Sequence, residues 1–598
     1  MKKVSHILKD SKSTTNPQHV VFFDTETYEQ PLNDTESEHK FRLGVACYWR
    51  IRSDRDDDQF TWQNASDPAD IWAFIFAHTG QRRNLFVVAH NVAFDVKVTQ
   101  GFDRLRGEGY TLKKMILNGT TNIWKFRKDK SSITILDNMN YFKVSLAKLG
   151  DSLGVQKLKM PPWEASNEEW FIYCRRDVEV MLEAWRKWIE FLTVNDLGVF
   201  AMTIASQSLN AYRHRFMPAP IYIHAYDDLT KLEREAYHGG RTEAFFIGTL
   251  PPDTYRYLDV NSMYPHVMLS REYPTRYIGR RKNPPKKWLL DQLLTNAVIA
   301  TVDIKTDEPV FPVKKDGRLI FPIGTFTTTL STRELEYAAS NDMIKTVHEA
   351  AIYEKARIFE DYVTFFYNKR LEYKRDGNDA FAYMCKLLLN SLYGKFGQRN
   401  DEYTIIAEGV DQPDGTHQEF DIDTKTWVTY RIINGTVEMA TGKKEGFNSF
   451  VAIAAHITAD ARMQLWEYIT KAGPNNTFYV DTDSLFVGTL GYSNLAPHIE
   501  SGTLGALGLK GEADRLEIRG LKDYSFGEVD TIKGIRNDAE RVDDSTFRQI
   551  SFEGLKGALR KNRINTMVTR KVEKHLTRKY SKGNVSTTGF VYPFRLDR

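Results

Sequence analysis

The stretch Tyr479-Val-Asp-Thr-Asp-Ser484 sets two carboxylates one residue apart between apolar runs, residues 477–480 before it and 485–487 after it. Successive residues of a strand face opposite ways, so on a continuous strand Asp481 and Asp483 share a side. Like charges held that close are unfavourable without a cation between them, and hard oxygen ligands at a strand end suit Mg²⁺ or Mn²⁺. By itself an Asp-Thr-Asp run is as readily an acidic turn. A second block, Tyr257-Leu-Asp259-Val-Asn-Ser-Met-Tyr264-Pro265, again closes an apolar strand with an Asp, ahead of a turn that carries Tyr and Pro. Between the two lies Lys386-Leu-Leu-Leu-Asn390-Ser-Leu-Tyr393-Gly394-Lys395, helical in pattern. Its Lys386, Asn390 and Tyr393 stand at offsets of four and three, on one face.

In this order the three blocks resemble motifs A (DxxSLYP), B (KxxxNSxYG) and C (YxDTDS) of family B DNA polymerases. The resemblance implies that Asp259 and Asp483 hold two Mg²⁺ or Mn²⁺ ions bridging a primer 3′ hydroxyl and an incoming deoxynucleoside triphosphate, with Asp481 completing the acidic site. It implies that Tyr264 blocks a ribose 2′ hydroxyl; the alternative for that ring is a place in the core. Lys386 and, one helix earlier, Lys374 would pair with the triphosphate. Asn390 and Tyr393 would line the nascent base pair, and Gly394 would let the backbone approach the template.

A second acidic set stands near the N-terminus. Val20-Val-Phe-Phe-Asp24-Thr-Glu26-Thr carries two acids on one side of a strand, His90-Asn91-Val-Ala-Phe94-Asp95 follows a buried-looking strand, and Tyr173 and Asp177 sit one helical turn apart. Singly each is a common surface pattern. In order they resemble the Exo I (DxE), Exo II (NxxxFD) and Exo III (YxxxD) motifs of an RNase H-like proofreading domain. Asp24, Glu26, Asp95 and Asp177 would hold two ions for phosphodiester hydrolysis, and Tyr173 would orient the attacking water. The family also uses a lysine upstream of Exo III, for which Lys157 and Lys159 both qualify. Asn91 and Phe94 would grip the frayed strand. Ser145 and Leu146 resemble an element holding the single-stranded 3′ end, or equally a capped helix start.

Shorter matches narrow the subgroup. Tyr237-His-Gly239-Gly240 resembles a YxGG element whose glycines admit the template strand, Thr458 to Arg462 resembles TxxAR, and Lys522 and Tyr524 resemble a KxY motif gripping the primer. With the compact length, these resemble the protein-primed DNA polymerases of phages and linear plasmids. The resemblance implies a terminal protein as primer, and a processive, strand-displacing enzyme that replicates a viral or plasmid genome. A family B polymerase using nucleic-acid primers or starting unaided is the alternative, and a DNA-binding scaffold without catalysis is a third reading. Carboxylates at all seven expected positions argue against the scaffold.

The elements that must position these residues are those of an α/β multidomain chain: an RNase H-like exonuclease followed by a right-hand polymerase of palm, fingers and thumb with two insertions. The expected units are exonuclease 1–198, palm 199–270 and 449–554, fingers 359–399, and a basic thumb 555–598. The insertions are 271–358 and 400–448, which the resemblance implies are terminal-protein regions. The second contains Asn434-Gly435, a strong hairpin signal read as the tip of a ribbon encircling the template. A chain of 598 residues, 41% hydrophobic, has ample material for several cores. Net charge is only +4, so nucleic acid must be held by local patches and metal, and residues 556–598 supply one with twelve Lys or Arg against two acids. An acidic loop is expected at 54–58. Three scattered cysteines encode no disulfide framework or zinc site. No apolar run reaches membrane length, so a soluble, intracellular protein is expected; it is also expected to be a monomer.

Overall fold

The computed structural model describes residues 3–52, 58–119, 121–423 and 425–597, so the acidic stretch at 54–58 lies, but for Asp58, outside the described residues. The strand His19–Pro31 is the spine of the N-terminal unit. It pairs antiparallel with Glu36–Arg50 and parallel with Asn84–Ala89, which continues parallel to Ser131–Asp137. Its apolar run Val20 to Phe23 is fully buried, and such a strand needs cover on both faces. Val20 and Phe22 pack with the helix Asn167–Val194, which starts at a capping box of Ser166 and Glu169. Val21 and Phe23 pack with Ile71, Trp72 and Phe102 of the helices opposite. Asp24 and Glu26 keep the parity of Val20 and Phe22, so they emerge under the long helix.

A second, all-antiparallel sheet runs in the order Thr242–Ala244, Thr477–Asp481, Ser484–Val487, Tyr255–Val260, Leu507–Ala513. Beneath it lies the helix Val451–Ala472, apolar nearly all round and buried along most of its length, as a core helix must be. The helices Glu360–Arg375 and Asp379–Phe396 form an antiparallel pair, the second capped by Asn378, whose side chain accepts from Phe381 N at 3.1 Å.

Residues 271–358 build their own sheet and core. Tyr273–Lys282, Ile344–Ala356, Ala297–Thr306 and Ile323–Ser331 are neighbours in it, and His6–Leu8, Ile221–Ile223 and Arg595–Leu596 extend its edges. Residues 400–448 form a four-stranded sheet in the order Arg399–Glu408, Thr436–Glu445, Thr426–Ile433, Gly415–Asp421. The Asn434-Gly435 turn closes Ile433 on Thr436 with both residues at positive φ, 51° and 71°, as the hairpin signal predicts. Its location corrects the expectation of a free tip. Asn434 is 3% exposed and donates to Tyr110 O and, through its backbone N–H, to Asp414 Oδ1 at 2.7 Å; Asp414 is in turn paired with Arg106 at 2.5 Å. Ile433 belongs to the N-terminal unit's core. The exposed end is the opposite one, where Phe420, Ile422 and Trp427 are 49%, 80% and 66% exposed.

The basic stretch 555–598 is likewise distributed rather than a unit of its own. Met567–His575 pairs with Thr546–Phe552 and with Glu36–Arg50, joining the N-terminal sheet, and Arg595–Leu596 joins the first insertion. Main-chain hydrogen bonding at exposed strand edges drives both attachments. Among the described residues, no helix is long and apolar enough to cross a membrane.

Candidate active sites

Asp259 ends Tyr255–Val260 directly across from Ser484, and Asp483 precedes Ser484 in the turn, so the two acids meet at one edge of the central sheet. The alternation argument for Asp481 and Asp483 does not hold. Asp481 pairs with Ser484 across a two-residue turn in which Thr482 takes φ 66°, and this turn breaks the strand period. Asp481 is instead ion-paired with Lys522 and accepts from Thr242 Oγ1 at 3.1 Å. Burial, then the Asp259 charge, pushes Asp483 up to about 6, and burial raises Asp259 against the pull of Lys510 and Lys386. Two acids that resist ionising together are suited to a cation.

Both line a cleft of about 540 Å³ with Tyr264, Lys374, Lys386, Asn390 and Tyr393, so the predicted nucleotide-site residues come together from three elements. Tyr264 stacks on Tyr393, ring centroids 4.4 Å apart and planes 13° from parallel. Arg370 and Lys510 also line the cleft and were missed by the sequence reading. Arg370 stands four residues before Lys374 on one helix face, a signal that was available; Lys510, 3.7 Å from Asp259, lies on a strand with no motif. Arg370, then burial, then Lys386 and Lys510, lower the pKa of Lys374. Such crowded cations are a receptor for a polyanion.

In the N-terminal unit, Asp24 and Glu26 lie with Cys174 so that one ligand atom from each is within 4.8 Å of the others. Burial, then the Asp177 charge, pushes Asp24 well above the usual carboxylate range and Glu26 up to about 7. Asp95 stands beside them, 2% exposed, accepting from Thr25 Oγ1 at 2.7 Å; burial outweighs that bond and raises it to about 8. Asp177 is ion-paired with Lys157, whose ammonium also lies 4.6 Å from the centre of the Tyr173 ring. Of the two candidate lysines, Lys157 is therefore the one in this site. Asp177 Oδ1 is buried without a hydrogen-bond partner. Crowded acids raised this far, with an orphaned carboxylate oxygen, fit divalent cations.

The residues expected to touch DNA divide. Asn91 is exposed at φ 68°, and half-buried Phe94 meets His39 edge to face at 5.5 Å. Ser145 caps the helix Leu146–Leu153, and Leu146 is 8% exposed within the core, which corrects its reading as a strand contact: an apolar side chain at this position packs inward. Thr458 and Arg462 are also corrected. They are 3% and 2% exposed on the core helix; Thr458 bonds Ala455 O, and Arg462 donates to Glu334, to His238 O and to Gly239 O. Arg462 thus holds the Tyr237–Gly240 turn. Gly240 makes room for protein rather than for a template: a Cβ there would stand 2.6 Å from Thr482 Cγ2, while Gly239 faces open space. Tyr237 rests against Gly397, and Tyr524 packs its ring on Tyr479 and Phe486 beside Lys522.

The two acidic clusters stand on an RNase H-like unit and on the central sheet of a right-hand palm, the fold of a polymerase preceded by an exonuclease-type domain. Phi29 DNA polymerase, in a solved complex with primer-template DNA and incoming nucleotides, shares that fold with a TM-score of 0.64 at 15% identity, covering 94% of this chain and 100% of that one. Residues 156–473 match the family DNA polymerase type B, organellar and viral, and the chain belongs to that family. It is 30% identical over 263 residues to a probable DNA polymerase of Ascobolus immersus, covering 43% of this chain and 21% of that protein. It is 28% identical over 312 residues to the DNA-directed DNA polymerase of Enterobacteria phage PRD1, covering 51% of this chain and 52% of that one. The chain thus matches from a fifth to half of the length of these relatives.

Proposed function

We propose that this chain is a template-directed, protein-primed DNA polymerase with a 3′–5′ proofreading exonuclease. The observation that carries the reading is the cleft that gathers Asp259 and Asp483 with four cations, Arg370, Lys374, Lys386 and Lys510. Asp259 and Asp483 would hold two Mg²⁺ or Mn²⁺ ions, which supply charge neutralisation at the triphosphate and lower the pKa of the primer 3′ hydroxyl. The four cations bind and orient the triphosphate, and the helix pair that carries three of them can close on it. Tyr264, braced by Tyr393, fills the space beside the sugar and rejects a 2′ hydroxyl. Lys522, against Asp481 at the palm edge, meets a primer phosphate.

In the N-terminal site Asp24, Glu26, Asp95 and Asp177 would hold the ions for hydrolysis of the primer terminus. Tyr173 orients the attacking water, and Lys157, paired with Asp177, opposes the rise in pKa that burial imposes on that carboxyl. Asn91 and Phe94 grip the unpaired strand. The two insertions support priming by a terminal protein and enclosure of the template. In that reading the end carrying exposed Phe420, Ile422 and Trp427, not the Asn434 turn, faces the DNA.

Extension of a primed single strand with dNTPs and Mg²⁺ tests the polymerase reading, and degradation of a single strand without dNTPs tests proofreading. Incubation with labelled dATP and any small basic protein that a neighbouring reading frame encodes tests priming: a labelled protein adduct is expected, and nucleotide incorporation that occurs only from oligonucleotide primers would refute it.

A further inference from the structure

Cys174 sits between Tyr173 and Asp177 on the helix Asn167–Val194, fully buried, with its Sγ turned to Asp24 midway along the strand His19–Pro31. The thiol lies 3.3 Å from Asp24 O and 3.6 Å from Asp24 Oδ2. Its sulfur and one oxygen each of Asp24 and Glu26 are all within 4.8 Å of one another. A second observation points to a ligand. Asp177 is 4% exposed, its Oδ1 has no hydrogen-bond partner, and it is the neighbouring charge that acts most strongly on both Asp24 and Glu26.

Mg²⁺ takes oxygen ligands and gains nothing from sulfur, whereas Zn²⁺ and Cd²⁺ bind thiolates well. Donors at about 2.0–2.3 Å from a tetrahedral ion stand about 3.5 Å apart. The 3.6 Å between Sγ and Asp24 Oδ2 already has that spacing. We propose that Cys174, Asp24 and Glu26 form a site for a thiophilic divalent cation inside the exonuclease centre, through which Zn²⁺ or Cd²⁺ displaces the working ion and stops degradation. As the metal–sulfur bond forms, the thiol proton leaves to solvent; no oxidant or reductant is needed. Among the described residues no cysteine lines the nucleotide cleft, so binding through a thiolate is confined to one of the two centres. The inference rests on the exonuclease reading for its consequence, not for the site itself.

Titration of the full chain with Cd²⁺, followed by the ultraviolet sulfur-to-cadmium charge-transfer band, tests it. One equivalent of band is expected in the parent and in a Cys47→Ala/Cys385→Ala variant, competed by Mn²⁺ and absent in Cys174→Ala and Cys174→Ser. Asp24→Asn, which keeps the thiol, should weaken Cd²⁺ binding by about tenfold or more, since losing even a residue that only orients a metal ligand acts on that scale. It is also the measurement to rely on if the cysteine variants do not fold. The Zn²⁺ concentration that halves single-strand degradation should rise by a similar factor in Cys174→Ser. A parent without the band, a band that survives Cys174→Ala, or one that Mn²⁺ does not compete overturns the proposal. A band that behaves as expected in a chain that degrades no DNA with any metal leaves the metal site standing and removes the exonuclease reading.

Discussion

Arg462 and Glu334 form an ion pair with two hydrogen bonds to one carboxylate oxygen, 2.8 and 3.2 Å long, and neither residue is more than 2% exposed. The pair ties the core helix to the first insertion, and the remaining Arg462 nitrogen holds the turn that abuts Thr482. Removing one partner leaves a buried charge alone, at a cost of about 3–5 kcal/mol. Arg462→Ala should therefore lower the unfolding free energy by that amount, read as a lower denaturant midpoint, and Arg462→Ala/Glu334→Ala should recover part of it. If Arg462→Ala weakens DNA binding with no loss of stability, Arg462 is a DNA contact after all.

The two acidic centres lie on different sheets and share no residue, so their activities should separate. Asp483→Ala is expected to abolish nucleotide addition, a loss of at least ~10³-fold for removal of a metal-holding acid, while sparing single-strand degradation. Asp24→Ala/Asp95→Ala should do the opposite. Loss of both activities in either protein, with the fold intact by circular dichroism, excludes the two-centre reading.

Tyr264 is backed by the Tyr393 ring and cannot easily swing aside. Tyr264→Val should raise the kcat/KM ratio of ribonucleotide to deoxynucleotide by ~10²-fold, since each ~1.4 kcal/mol is tenfold. An unchanged ratio assigns the ring to the core.

Burial raises Glu26 to about 7, Asp95 to about 8 and Asp483 to about 6 in the metal-free fold. A carboxyl whose folded pKa exceeds its unfolded value, about 4, binds its proton more tightly when folded. Stability is then greatest below pH 4 as far as these groups are concerned, and is lost as pH rises through 6 to 8. Divalent cation opposes that loss, so the rise in Tm on adding Mn²⁺ should be larger at pH 8 than at pH 5. Equal shifts at the two pH values count against metal binding by these acids.

The exposed end of the second insertion carries Phe420, Ile422 and Trp427, whereas its Asn434 turn is docked on the N-terminal unit. Phe420→Ser/Trp427→Ser should leave extension of a primed single strand within about twofold, because exposed substitutions change stability little, yet shorten products made through a duplex. Asn434→Ala, by contrast, should register first as a lower Tm. Full-length displacement synthesis by the double variant removes this end from any role in handling DNA.

What was legible in the sequence was local. Asp259 and the Lys386, Asn390, Tyr393 face each belong to one short element whose period declares it, Asp483 was legible from its motif although the Thr482 turn breaks the strand period, and the order of the blocks along the chain was enough to identify the family. The Asn434-Gly435 hairpin was legible for the same reason, since two residues determine the turn. Which end of that ribbon faces outward was not, because Arg106, Tyr110 and Asp414 decide it from elsewhere in the chain. The same limit applies to Arg462, an arginine on a helix that reads as surface until a glutamate 128 residues earlier is folded onto it. Lys157 and Lys159 differ only in which one packing delivers to Asp177, and Cys174 reaches Asp24 across 150 residues. Local periodicity is written in neighbouring residues and survives in the unfolded chain. Burial, charge pairing and the meeting of distant elements arise only when the cores close, and those decided which residues can reach a ligand and which merely hold the fold.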